Sequence, residues 1–323
     1  MIEKIKKILK LIVFPKKDIS VSIPSSQKNE VYFCAAGEWG YEIMSWIPFL
    51  LFLKQKTGIK LNTISRPGSK LFYYFSDNHL ELLPEEISNV WGEEKKYNEI
   101  KKRLHIKKML YISNHSIKRN VDITVNGYKW NIKDIHTNIN DKKNFSKPVF
   151  SNILATLPFD LKNPFVIINN KYAVEWKGDA PENFFSREEL IELRDVLIQK
   201  GFSVVYNRFI EQTSNDTFHE LKDRDIFTSD DCYDMRDFYT KEKNPEIRNL
   251  VQISMFNKAS YVFGVQGGNI YLPAICGKKI FMTMKKGDYI DYMELSRIYD
   301  IPKIEVFYEN RHLVNWIEKH IIV

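Results

Sequence analysis

Residues 261–282, YVFGVQGGNIYLPAICGKKIFM, join an apolar run to a polar glycine turn. Residues 261–265 read as a buried strand and Gln266-Gly267-Gly268-Asn269 as the turn. A short helix carrying Pro273 follows, then Gly277 and a second strand at 279–282. A turn that opens a helix beside a parallel sheet presents unpaired backbone N–H groups and the positive end of the helix dipole. That arrangement suits a phosphate or diphosphate. Gln266, Gly267, Gly268 and Asn269 are therefore candidate anion ligands, although glycines placed only for tight packing give the same pattern.

Other strand ends carry further candidates. The segment after residues 31–35 reads Gly37-Glu38-Trp39-Gly40-Tyr41-Glu42. Its glycines permit a tight turn and close approach of a ligand; Trp39 reads first as a core residue, although from its place in the turn it can stack on a sugar ring. Glu38 is placed to act as a general base on a hydroxyl nucleophile. Glu42, four residues on, faces the same side of the following helix. The competing readings are that Glu38 neutralises the helix N-terminus and that Glu42 is a cap. In the second half, Asn170 and Lys171 follow the run FVIIN and Arg208 follows FSVVY. Two cations beside free amides make a cradle for a diphosphate; each could equally sit in a surface ion pair. The pair Asp223-Arg224-Asp225 resembles a metal-bridging motif. It lies in a charged run, LKDRD, and reads as a solvated face. The seven histidines are dispersed, so no metal site is expected.

These residues need elements to position them. A strand at 31–35, an apolar helix at 41–56 closed by Gly58, and a strand at 59–64 make a β-α-β unit. A turn, Arg66-Pro67-Gly68, leads into a helix or strand from residue 70. The charged stretch 85–108 ends in helix, and residues 114–148 read as loops, a hairpin or an insertion. A second α/β pattern runs from residue 164. It holds strands at 165–169 and 202–206, and a helix at 187–200 with Ser186 and Glu189 at capping-box spacing. A helix at 245–259 and strands at 261–265, 279–282 and 303–306 follow, then a final helix at 312–322. Two such units predict two domains facing a cleft, with ligands at the carboxyl ends of the strands.

Composition sets the outer bounds. The chain has 323 residues, 44% hydrophobic and 28% charged, enough for two packed cores. Its net charge of +7 fits an anionic partner, yet the lysines are scattered without a nucleic-acid signature. Cys34, Cys232 and Cys276 lack CxxC spacing and fit reduced thiols in the cytosol. No apolar run reaches transmembrane length. Residues 1–17 form a basic amphipathic pattern, able to lie on an anionic membrane surface or to dock on the protein. A polar tether spans residues 18–30.

Three segments, GEWGYEIMSW, NNKYAVEWKGDAPENFFSREEL with VVYNRF, and FGVQGGNIYLPAICGKKIFM, resemble the GT-B glycosyltransferases encoded with bacterial surface-polysaccharide (capsule and O-antigen) machinery. The resemblance implies an α/β chain of two Rossmann-like domains around a central cleft. Residues 1–30 would be the N-terminal segment and tether, 31–155 the acceptor-side domain, and 156–323 the nucleotide-sugar domain, with the last helix packing back on the first. It implies a metal-independent transferase, inverting in preference, that needs no cofactor beyond its nucleotide-sugar donor. A glycan or lipid-linked oligosaccharide would be the acceptor. Glu38 would be the base with Glu42 in reserve. Gly37, Trp39, Gly40 and Tyr41 would meet the acceptor. Asn170, Lys171, Arg208 and residues 266–269 would hold the donor. The implied location is cytoplasmic, peripheral on the inner face of the membrane. The same fold also admits a pyruvyl transferase, a nucleotide-sugar epimerase or a non-catalytic glycan-binding module. The chain departs from the heptosyltransferase pattern and from the Glu-rich donor motif of many retaining members.

Overall fold

The computed structural model describes residues 19–23, 31–37, 39–87, 94–111, 123–130, 145–161, 164–171, 173–174, 183–208, 217–218, 220–286, 302 and 304–321. The basic segment 1–17 and Glu38 lie outside the described residues.

In the first half, β1 (Ile19–Val21) precedes β2 (Val31–Cys34). Helix α1 follows in three parts: an α turn (Trp39–Tyr41), a π segment (Glu42–Trp46) and an α segment (Ile47–Thr57). The change from π to α coincides with Pro48, which has no N–H to donate to the preceding turn. The helix ends at Gly58, whose N–H donates to Lys54 O at 2.9 Å. Then come β3 (Asn62–Ser65), β4 (Asn78–Glu81), α2 (Glu94–Arg103) and β5 (Lys108–Tyr111). They form a parallel sheet in the order β4-β3-β2-β5. The stretch expected to be helix or strand from residue 70 is a 3-10 helix (Ser69–Tyr73).

The region 114–148 contains a hairpin, β6 (Ile123–Val125) and β7 (Tyr128–Trp130), turned at Asn126-Gly127. Both turn residues have positive φ, as a two-residue hairpin turn requires. The expected tether at 18–30 is partly structured, because β1 pairs in parallel with β6. Its overall polarity concealed the alternation Ile19-Ser20-Val21-Ser22-Ile23, whose Ile23 is buried.

The second half holds β8 (Phe165–Asn169), β9 (Ala173–Val174), α3 (Arg187–Gln199), β10 (Ser203–Asn207), β11 (Thr217–Phe218) and β12 (Cys232–Asp234). After these come α4 (Met235–Lys241), α5 (Pro245–Lys258), β13 (Val262–Val265), α6 (Tyr271–Ile275), β14 (Ile280–Thr283), β15 (Glu305–Phe307) and α7 (Asn310–His320). Strands β9 and β11 form a small antiparallel pair. The other six form a parallel sheet, β12-β10-β8-β13-β14-β15. The chain winds outward from β8 through β10 to β12, then returns to the centre and winds the other way from β13. The strand order thus reverses between β8 and β13, the place where open α/β sheets bind ligands. The Ser186–Glu189 capping box forms as the spacing predicts.

The core follows from burial of strands on both faces. All residues of β2, β3, β10, β13 and β14 are buried. One apolar cluster is continuous through both halves, joining Trp46, Phe49 and Phe72 to Met255, Phe256 and Ile275. A second lies under α3 and α7. Among the described residues, α7 packs on α3, β14 and β15 through Leu313, Val314 and Ile317.

Candidate functional site

The loops that leave the switch strands of the two sheets meet. A methyl group built on Gly40, in the first turn of α1, would stand 3.6 Å from Gly268 Cα and 2.9 Å from Tyr271 Cε2. A Cβ at position 40 would press on the Tyr271 ring, so glycine lets the start of α1 rest closely on the turn that follows β13. That turn forms a 3-10 helix (Gly268–Ile270) feeding α6.

Lys171 follows β8 on the other side of the switch point. It is 9% exposed, and its Nζ donates to Gln266 O at 3.4 Å. The Gln266 side chain is held in turn, because Asn183 Nδ2 donates to its Oε1 at 2.5 Å and to Lys286 O at 2.9 Å. Asn183 Oδ1 accepts from the amides of Lys285 and Lys286. Asn183 therefore clips the glycine turn to the end of β14. It stood in the sequence as an asparagine in a polar stretch, with no spacing to reveal the role.

Asn170 is fully used by the chain. Its Oδ1 accepts from the amides of Lys171 and Phe185, and its Nδ2 donates to Phe185 O and the Tyr206 hydroxyl. It shapes the loop beneath the site. Arg208 is also buried, 2% exposed. Its Nε donates to Lys171 O at 3.3 Å and its guanidinium lies 3.7 Å from Asp223. The expected cradle of two equivalent cations is thus divided. Lys171 lies beside the glycine turn, while Arg208 stands behind it and braces the Lys171 main chain.

Asp223 corrects the reading of LKDRD as a solvated face. It is 1% exposed and accepts from the Tyr206 hydroxyl at 2.5 Å and from Arg236 Nη1. Arg236 also pairs with Asp234. Two carboxylates and two guanidinium groups therefore neutralise one another inside the second domain, with Arg236 over the Tyr206 ring at 5.1 Å. Asp225 does point outward and pairs with Arg187. Among the described residues no cluster of His, Cys, Asp and Glu could hold a metal ion.

On the first sheet, Glu42 is 1% exposed. Its Oε1 accepts from Ser65 Oγ and from the Tyr73 hydroxyl at 2.7 Å, and its Oε2 lies 3.5 Å from Arg66 Nε. Burial pushes its pKa above the ordinary carboxylate value, against the opposing pull of Arg66, Ser65 and Tyr73. A carboxylate so enclosed is placed to hold Arg66 rather than to meet an acceptor. Gly37 offers its carbonyl to Arg66 Nη2 at 2.7 Å. Trp39 packs edge-on against Phe72 with its face under the Arg66 guanidinium, 4.8 Å away. The side chains of Tyr41 and Asn269 lie outside the described residues.

No family model matches this sequence, and no curated protein matches it. Solved structures do. The E. coli heptosyltransferase WaaC with ADP is similar at 11% identity and TM-score 0.51, over 90% of this chain and 99% of that one. A glycosyl transferase family 9 protein from Veillonella parvula is similar at 9% identity and TM-score 0.50, over 93% and 91%. The fold is GT-B. A third match, the dodecameric iron-containing heptosyltransferase TibC in complex with ADP-D-beta-D-heptose, has a TM-score of 0.43 at 10% identity. This chain covers 82% of itself in that match and spans 61% of the length of TibC. At these identities the likeness speaks for architecture alone. It agrees with the two parallel sheets.

Proposed function

We propose that this chain is a glycosyltransferase that moves a sugar from a nucleoside-diphosphate donor to a glycan or lipid-linked acceptor in cell-surface polysaccharide synthesis. The observation that supports it most directly is the meeting of the two switch-point loops at Gly40 and Gly268, with Lys171 beside the glycine turn. The likeness to the heptosyltransferase WaaC, solved with ADP, favours a heptose-type sugar and an adenine nucleotide as the first donor to try.

In this reading the acceptor hydroxyl oxygen attacks the anomeric carbon. Its proton passes to the Glu38 carboxylate, and the bond to the diphosphate oxygen breaks with its electron pair. The charge gathering on the diphosphate is met by Lys171 and the N–H groups of residues 267–269, with Gln266 positioned by Asn183. This single displacement inverts the anomeric centre and draws its positive charge from the protein. Gly37, Trp39, Gly40 and Tyr41 form the acceptor side. The chain works at the inner face of the cytoplasmic membrane, with residues 1–17 as its surface contact. Among the described residues no helix is long and apolar enough to cross a membrane.

The test is thermal unfolding of the purified chain with ADP, GDP and UDP, followed by transfer assays with the corresponding sugar donors. One nucleotide at 100 times its Kd should add about 2.7 kcal/mol of stability. Glu38→Gln should then cut kcat roughly 100- to 10,000-fold while leaving that nucleotide's affinity unchanged. If no nucleoside diphosphate raises the melting temperature, the donor assignment is wrong; if Glu38→Gln turns over normally, the base is another group.

A further inference from the structure

The turn Arg66-Pro67-Gly68 leaves β3 at the carboxyl end of the first sheet, on the edge where the acceptor loop leaves β2. Three bonds fix its main chain. Arg66 O accepts from Ser69 N at 3.1 Å and from Ser69 Oγ at 2.6 Å, and Gly68 N donates to Glu81 Oε1 at 2.8 Å. The far side of the turn bears on the second domain, where Asn249 Nδ2 donates to Gly68 O at 2.9 Å. The Arg66 side chain runs the other way. Its Nη2 holds Gly37 O, its plane covers the Trp39 ring, and its Nε faces the buried Glu42 carboxylate. One guanidinium therefore grips the acceptor loop at positions 37 and 39, on both sides of residue 38.

We propose that Arg66, backed by Glu42, is the positioning residue of the acceptor loop, and that its turn couples the seating of the second domain to the placement of Gly37 and Trp39. The idea rests on the glycosyltransferase reading for its kinetic consequence but not for its structural one. A planar fork can donate to a carbonyl, face a carboxylate and stack on an indole at once; an ammonium cannot do all three. The buried carboxylate of Glu42 has its other oxygen tied to Ser65 and Tyr73, so it holds the fork from a rigid base. Misplacement of a reacting group by about 1 Å costs on the order of 100-fold in rate, which sets the scale of the effect.

The experiment compares the full chain with Arg66→Ala, Arg66→Lys and Glu42→Gln in two independent readouts. In the first, amide hydrogen exchange over residues 35–41 should speed up at least tenfold in Arg66→Ala while exchange over β13 and β14 stays as in the parent. In the second, kcat for transfer should fall about 100-fold with nucleoside-diphosphate affinity unchanged. Arg66→Lys should fail to restore it, Glu42→Gln should give a smaller loss, and added guanidinium should recover at least tenfold of the rate in Arg66→Ala. Unchanged exchange over 35–41 overturns the proposal whether or not the chain is a transferase. A rate loss matched by an equal loss of nucleotide affinity also overturns it, since the residue would then act on the whole fold. A parent chain that binds no nucleoside diphosphate ends the glycosyltransferase reading and leaves the exchange result to decide on Arg66.

Discussion

Lys171 and Arg208 are both cations just past a strand end, yet the fold gives them different work. Arg208 spends its charge on Asp223 and its Nε on the Lys171 carbonyl. Lys171 extends along the glycine turn, where a methyl group at Gly267 would stand 3.5 Å from its Nζ. A hydrogen bond to a charged group contributes about 1.5–3 kcal/mol. Lys171→Met should therefore weaken nucleoside-diphosphate binding roughly 10- to 100-fold with little change in melting temperature, as read by calorimetric titration and thermal unfolding. Equal affinity in the variant would remove Lys171 from the donor site. The same contrast singles out Glu42, which is enclosed by Ser65, Tyr73 and Arg66, so the proposed mechanism does not call on it as a base.

At the scale of elements, the loop between β11 and β12 and the start of α4 carry the buried ion cluster. Asp223 comes from the loop, while Asp234 caps α4 by accepting from Arg236 N. Removing one partner from a buried pair leaves an uncompensated charge and costs roughly 3–5 kcal/mol. Asp223→Asn should lower the stability of the second domain by that order, measured by urea unfolding at neutral pH. Burial raises the Asp223 pKa. The bonds from Tyr206 and Arg236, with the charges of Arg236 and Arg208, outweigh burial and hold it below its ordinary 3.8. A depressed carboxylate stabilises the fold above its unfolded pKa and loses that contribution as pH falls through the folded value. The parent should thus become acid-labile from about pH 3.8 downward, and Asp223→Asn should lack that component. Parallel acid profiles for the two proteins would show that the cluster does not titrate as described.

At the scale of the molecule, the halves touch through backbone that tolerates no side chain. Gly68 has φ 74, and a methyl group there would lie 2.4 Å from the Pro245 carbonyl carbon. Left-handed strain costs of order 1–3 kcal/mol, and the contact with α5 must open as well. Gly68→Ala is expected to lower the melting temperature and to raise the radius of gyration in small-angle scattering. It should slow transfer more than it weakens nucleotide binding. An unchanged radius of gyration with normal transfer would mean that the seating of Gly68 on α5 has no part in function.

Local chemistry was largely written in the chain. The run FVIIN, the Ser186–Glu189 cap, Gly58 after α1 and the glycine turn after β13 each form where residue type and period dictate, because burial pattern, capping and turn geometry act within a few residues. The α/β class and the two-sheet layout followed from those elements. Other features depended on partners far along the chain. The strand Ile19–Val21 needed β6, more than 100 residues away, to become more than a polar tether. Asp223 needed Tyr206, Arg208 and Arg236 around it before its charge could be buried. Arg66 gained its hold on Gly37 and Trp39 only when β3 was laid beside β2. Short-range propensities belong to the sequence, but desolvation and charge pairing belong to whichever groups the tertiary fold brings within a few ångströms.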